Sequence, residues 1–236
     1  VFWCAGYHPA QVMSPQSQST THPRFPCAET FTIPGPCGAL EALAACPAAT
    51  ARAATAIVCH PHPLHGGTMH NKVVHTLARA FTDLGLRAVR FNFRGVGASA
   101  GGFAHGTGET DDLLAVIAWV RAQHPDGAIW LAGFSFGAYV ALRAAAVSPV
   151  AQLVTVAPAV HLYDFTAFAT PRAPWLLIQG AADEVVPPAQ VLAWARALRP
   201  APDVVELPDV GHFFHQRLNE LRRVVVERLR ARLTGD

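Results

Sequence analysis

The chain has 236 residues, of which 51% are hydrophobic and 14% charged, and a formal net charge of +2. Such a chain can bury one large core, and its composition is not that of a disordered protein. The small charge points away from a nucleic-acid partner, and the absence of an 18-residue apolar window free of charge and proline argues against a membrane span.

Residues 1–26 are polar and rich in Ser and Pro, and they read as a loose extension ahead of a domain over 27–236. The opening "VFWCAGYHPAQV" has no basic n-region and only a short apolar run, so it is not read as a signal peptide. Met13 opens an ordinary N-terminal stretch, which marks residues 1–12 as an upstream extension. The cysteines, Cys4, Cys27, Cys37, Cys46 and Cys59, are odd in number and show no CxxC spacing. With no export signal, they suggest a cytoplasmic protein with reduced, structural thiols.

From Glu29 on, strand and helix patterns alternate. "ETFTI", Glu29 to Ile33, reads as a strand. "ALEALAAC" is ambiguous: its Ala and Leu content favours helix, but Gly38 and Pro47 bracket a run too short for one, so a second strand is expected. The apolar run "TAIVCH" suits a strand buried on both faces. A helix should follow from about Asn71, with Val73, Val74, Leu77, Phe81 and Leu84 at helical spacing and Gly85 as its stop. "AVRFNF" is the next strand and "RGVGASAGG" a glycine-rich loop. Thr110 is expected to cap "DDLLAVIAWVRAQ", placing two aspartates at the positive helix end. Strands are then expected at "IWLAG", "LVTVA", "WLLIQG" and "VVELP", and helices at "FGAYVALRAAA" and "QVLAWARAL". A last helix carries Leu218, Leu221, Val225 and Leu229 on one face. This alternation predicts an α/β fold, a mostly parallel sheet with helices on both faces. The link between "LVTVA" and "WLLIQG" is short for a separate cap domain.

The strongest chemical signal is "GFSFG", Gly133 to Gly137, set between an apolar strand and a helical pattern. That is the context of a nucleophile elbow, where a serine sits on a strained turn and its neighbours two residues away must be small. A serine hydroxyl is a weak nucleophile without a base. In the order Ser, Asp/Glu, His, the base candidates are His212 and its competitor His215, which is expected inside the last helix. The acid is sought after "WLLIQG", where Asp183 is the first choice and Glu184, Asp164 and Asp209 are alternatives. Each of these residues would follow a parallel strand, at the edge where such sheets build their sites.

With these residues in view, the chain resembles a serine hydrolase of the α/β-hydrolase superfamily. More narrowly, it is similar to the small capless bacterial hydrolases related to dienelactone hydrolase. "HPHPLHGGTMHNKVVHTLARAF", "VRFNFRGVGASAG", "GETDDLLAVIAWVRA", "LAGFSFGAYVALRAA", "IQGAADEVVP" and "HFFH" carry the likeness, over about residues 28–234. The resemblance implies a sheet of about eight strands, with Ser135, Asp183 and His212 as catalytic triad. With that triad, the expected activity is hydrolysis of small carboxylic esters, with thioesters or lactones as variants, and no cofactor is expected. Rival readings are a peptidase on the same triad and a catalytically silent binding protein on the same fold. Oligomeric state is not legible.

An oxyanion hole needs two N–H donors. One should be Phe136, the residue after the serine. The other should come from "CHPHPLHGGTMH", where Pro61 and Pro63 have no N–H. The family's loop favours His62, with Leu64 second. The four histidines of this stretch also raise a metal site, but the segment contains no acid, and no metal is expected. Arg94, in the glycine-rich loop, reads as an ion pair or loop anchor, with a substrate carboxylate as the lesser alternative.

Overall fold

The structure is a computed structural model and describes residues 26–233. The proposed loose N-terminal extension therefore lies, apart from Pro26, outside the described residues. Eight strands form one sheet, in the order β1-β2-β4-β3-β5-β6-β7-β8. They are β1 (Thr30–Gly35), β2 (Gly38–Ala45), β3 (Ala54–Cys59), β4 (Arg87–Phe91), β5 (Ala128–Phe134), β6 (Gln152–Val156), β7 (Trp175–Gly180) and β8 (Asp203–Leu207). Strand β2 pairs antiparallel with β1 and β4, and the remaining pairs are parallel. "ALEALAAC" is thus a strand, and its bracketing Gly38 and Pro47 outweigh the helix propensity of its alanines.

Two helix layers cover the sheet. Helices α1 (Lys72–Asp83) and α5 (Leu218–Leu233) lie on one face; α2 (Thr107–Gln123), α3 (Phe136–Val147) and α4 (Pro188–Ala197) lie on the other. The central strands feed both layers by simple alternation. In β5, Ile129 and Leu131 point to the α2–α3 side, while Trp130, Ala132 and Phe134 point to the α1–α5 side. A strand apolar at every position can do this only when both faces are covered. On α5, Leu221, Val225 and Leu229 are buried together with Val224, and Leu218 packs at the edge.

Helix α2 departs from its expected start. It begins at Thr107, and Thr110 lies inside it, bonding back to the Gly106 carbonyl at 2.6 Å. Buried Glu109 takes the capping role instead, accepting the N–H groups of Ala104 and Gly106 at 2.8 and 2.6 Å. Gly106 stands at φ +91, and a Cβ there would press into the Tyr139 ring, so the turn into α2 requires glycine. Of the two aspartates, Asp112 is drawn away from the helix end. It forms a buried two-pronged ion pair with Arg94, whose Nη2 lies 2.7 Å from Asp112 Oδ1, and accepts the Arg94 N–H as well. Arg94 is therefore a loop anchor.

The expectation that all five thiols stay reduced is also corrected. Cys27 and Cys46 form a disulfide, with Cα atoms 5.6 Å apart. The bridge Cys27–Ala44 brings the start of the described chain beside the end of β2, a proximity that residue spacing does not reveal. Cys37 and Cys59 are free. Among the described residues, no helix is long and apolar enough to cross a membrane.

Candidate active site

Strands β3, β5, β6, β7 and β8 run parallel, so the loops after them meet at one edge of the sheet. All the candidate site residues follow one of these strands.

Ser135 sits between the end of β5 and the first residue of α3, at φ 55 and ψ −112. A positive φ at a non-glycine residue costs of order 1–3 kcal/mol and persists only where the surroundings enforce it. Here the Ser135 N–H is tied to the Val156 carbonyl at 2.9 Å. A Cβ on Gly133 would strike the Gly137 carbonyl, and one on Gly137 would strike the carbonyls of Cys59 and His60. The two glycines of "GFSFG" are thus required by backbone packed on backbone. Ser135 is partly exposed at the top of the turn.

His212 is 3% exposed and follows β8. Its Nδ1 lies 2.9 Å from Asp183 Oδ2. The same carboxylate oxygen accepts Gln179 Nε2 at 3.0 Å, and Asp183 Oδ1 accepts the N–H groups of Val185 and Val186 at 2.9 and 2.7 Å. Burial pushes the Asp183 carboxyl pKa up, but the His212 hydrogen bond and the two main-chain N–H groups outweigh it and hold the pKa below the ordinary value. The His212 ring packs on Phe134, the residue before Ser135, at 4.9 Å between centroids.

The alternatives separate spatially. Glu184 accepts the His212 main-chain N–H at 3.1 Å and does not face the imidazole nitrogen. Asp164 is exposed and bound to Thr166. Asp209 is exposed in a turn. His215 is exposed in the turn before α5, not inside the helix as expected, because α5 starts only at Leu218.

The side chains of the two proposed donor residues adjoin. Phe136 is the first residue of α3, where an N–H has no partner within the helix. The His62 ring lies 5.2 Å from the Phe136 ring. The competing donor, the Leu64 N–H, is taken by His62 Nδ1 at 3.1 Å. Among the described residues, no acceptor takes the His62 N–H.

The abundance of imidazole in "CHPHPLHGGTMH" now has a physical account for His60. It is fully buried, with Nδ1 2.6 Å from the Pro61 carbonyl, while Nε2 accepts the Phe93 N–H at 3.0 Å. It therefore clamps the loop after β3 to the loop after β4, in the tautomer that carries the proton on Nδ1. Among the described residues, no group of three or more His, Cys, Asp or Glu side chains converges as a metal site would require.

Burial lowers the His60 pKa from 6.5 to about 4. Because the folded value lies below the unfolded one, the unfolded chain binds the proton first as pH falls. Stability should therefore drop between pH 6.5 and 4, by a total of about 3 kcal/mol from this residue. Urea unfolding from pH 7 to 4.5 checks this: His60→Gln should be weaker at pH 7 but show a shallower decline towards acid than wild type. Parallel slopes would refute the assignment.

Sequence reasoning missed three supports of the site: Gln179, the bond of Glu184 to the His212 main chain, and the His60 clamp. Gln179 was visible as the lone polar residue of an apolar strand. The other two roles depend on contacts far apart in the chain.

Four of the five large hydrophobic side chains that are exposed among the described residues, Leu64, Leu162, Val185 and Phe213, lie on loops at this same edge. The edge that carries the site is thus partly apolar at its surface. The longest connection there, residues 157–174, contains no helix or strand.

Residues 64–171 match the family model described as alpha/beta hydrolase fold, a span that includes Ser135 and ends before Asp183. An alpha-beta serine hydrolase homologue from Coxiella burnetii is 48% identical, with a TM-score of 0.85 over 87% of this chain and 99% of that one. A serine hydrolase without lid from Xanthomonas campestris is also 48% identical, with a TM-score of 0.86 over 90% and 98% of the two chains. An uncharacterized protein of Rickettsia prowazekii is 32% identical over 201 residues, 81% of this chain and 84% of the relative. The sheet order, the serine turn and these likenesses agree: the chain belongs to the alpha/beta hydrolase superfamily, among its serine hydrolases without a lid.

Proposed function

We propose that this protein hydrolyses small carboxylic esters through an acyl-enzyme on Ser135, with thioesters and lactones as related substrates. The observation that carries the reading is the His212–Asp183 pair at 2.9 Å, packed on the residue that precedes a serine at positive φ. Ser135 Oγ attacks the acyl carbon, and His212 Nε2 takes the serine proton. The negative charge on the acyl oxygen is met by the N–H groups of Phe136 and His62. His212 then returns the proton to the leaving alcohol. Water, activated by the same imidazole, releases the acid. Asp183 keeps the His212 Nδ1 proton in place throughout and stays ionised. Every group this chemistry needs is protein-borne.

The direct experiment is labelling with a fluorophosphonate, followed by mapping of the modified peptide and an ester assay. Labelling at Ser135 with ester turnover supports the reading. Labelling elsewhere, or none, sinks it and favours a silent binding protein. Turnover of a matched amide as fast as the ester would replace it with a peptidase.

The His62 assignment has its own test. His62 stands at φ −53, an angle proline adopts, so His62→Pro removes the N–H with little backbone change. Turnover should fall by about 10²-fold or more. His62→Ala, which keeps the N–H and loses only the ring, should lose less than a tenth of that factor. Equal losses would reassign the donor.

Chain-length preference follows from the rings beside the donor loop. His62 packs on Phe103 at 4.8 Å, and Phe136 on Tyr163 at 5.3 Å, so bulky rings crowd the neighbourhood of the two proposed donors. A series of p-nitrophenyl esters should peak at acetate to butyrate. A maximum at octanoate or longer would contradict this.

A further inference from the structure

A cleft of about 290 Å³ opens beside His212, between the loop after β3 and the loop after β8. Its walls are His70, Asn71, Lys72 and Val73 on one side and Phe213 and His215 on the other. The volume is at the small end for ligand pockets and suits a single ring or short chain. Three features give it a chemical character.

First, it is basic and has no carboxylate in its lining. Lys72 is the only lysine in the chain, the other seventeen basic residues being arginine. It is exposed at the first position of α1, so its cation stands at the positive end of a twelve-residue helix, and no ion pair among the described residues engages it. A cation here opposes the helix dipole, so it costs stability unless an anion visits.

Second, the surroundings add to the same sign. His75, one turn on in α1, is held below its ordinary pKa by burial and then by Arg90, Arg79, Arg222 and His70. Asp83, at the far end of α1, is engaged by Arg222.

Third, the cleft adjoins the His212 imidazole through Phe213. His212 must hand its proton to the departing oxygen, so the leaving group sits towards the imidazole, while the acyl oxygen points to Phe136 and His62. Phe213, which lines the cleft, contacts the His212 ring at 5.1 Å and is 44% exposed, offering an apolar face beside the Lys72 cation.

We infer that this cleft is a leaving-group subsite for an anionic substituent, a carboxylate or phosphate, held by Lys72 with His70 and His215, with the carbon skeleton against Phe213. This rests on the ester-hydrolase reading above and narrows the substrate to esters whose alcohol or phenol part is anionic. A carboxylate and a phosphate share the same recognition here, and esters of each distinguish them.

The experiment compares 4-acetoxybenzoate, its methyl ester and phenyl hemisuccinate, with rates corrected for alkaline hydrolysis. The first carries its charge on the leaving group, the second carries none, and the third carries it on the acyl part. O-acetyl-4-hydroxyphenyl phosphate replaces the carboxylate by phosphate. The wild-type enzyme should favour 4-acetoxybenzoate or the phosphate over the methyl ester. Lys72→Met should lower kcat/KM on the favoured anion by about tenfold, chiefly through KM. That loss should be at least fivefold larger than the loss on the methyl ester. Lys72→Arg should recover most of it, and 1 M NaCl should erode the preference. Equal losses on charged and neutral esters, or a preference that appears only with the hemisuccinate, would overturn the subsite. If the methyl ester is hydrolysed without charge discrimination, the subsite alone falls. If none of the esters turns over, the hydrolase reading falls with it.

Discussion

Ser135→Ala is expected to reduce kcat on a p-nitrophenyl ester by about 10⁵–10⁶-fold while leaving the fold intact. The hydroxyl oxygen is the atom that would bond to the acyl carbon, and no neighbouring group can replace it. What remains should be the modest acceleration that oxyanion donors and binding provide to attack by water, of order 10³–10⁴ over the uncatalysed reaction. The backbone supplies an independent readout. Ser135 is held at φ 55, which alanine finds as uncomfortable as serine, whereas glycine does not. Ser135→Gly should therefore be as inactive as the alanine variant yet melt no lower than wild type. A Ser135→Ala protein that still labels with fluorophosphonate and still turns over ester would end the assignment.

Asp183→Asn should cost about 10⁴-fold in kcat, and the hydrogen bonds explain why. The Val185 and Val186 N–H groups require an acceptor at the Oδ1 position, so the asparagine oxygen must stay there. Its NH₂ then occupies the position of Oδ2 and faces His212 Nδ1. A donor at that point forces the imidazole proton onto Nε2, the nitrogen that has to accept the serine proton. Gln179 would meet the same NH₂ with its own and must turn its amide, presenting Oε1, which is buried without a partner in the native protein. The fold should survive this change, at the cost of the hydrogen bond from Gln179 Nε2 to the Gly180 carbonyl. Glu184→Gln should lose less than tenfold, because its contact is to the His212 main chain. Near-native turnover of Asp183→Asn would move the acid role to Glu184 or Asp164.

The residues that carry these expectations were legible to different degrees. The nucleophile turn was readable because its requirements are local: an apolar strand, small residues two positions either side of the serine, and a helix directly after. The base was readable from chain order. The acid was not separable from its neighbour by sequence. Asp183 and Glu184 are adjacent carboxyls after β7, and only the turn that follows aims one at the imidazole and the other at the main-chain N–H of His212. The donor loop was half readable. Two prolines removed two N–H groups, but the loss of Leu64 as a donor depends on a rotamer of the His62 ring.

Errors clustered where two local signals competed. Thr110 before two aspartates is a good cap, yet Glu109 one residue earlier is buried and reaches two N–H groups at once, so the helix starts a turn sooner. His215 carries no break signal, and the helix waits until Leu218 because the chain must first turn after placing His212.

The sequence by itself determined the fold class, the alternation of strand and helix, the serine turn and the order of the reactive residues. These depend on periodicity and on steric needs within a few residues. Only the tertiary structure decided the pairing of Cys27 with Cys46, the Arg94–Asp112 anchor, the His60 clamp and the choice of Asp183. Each of these joins groups between 18 and 33 residues apart in the chain. The last three form because the parallel sheet delivers successive strand ends to one edge, where buried polar groups must find partners or lose stability, whereas the disulfide lies at the opposite edge, where antiparallel β2 ends beside the start of β4.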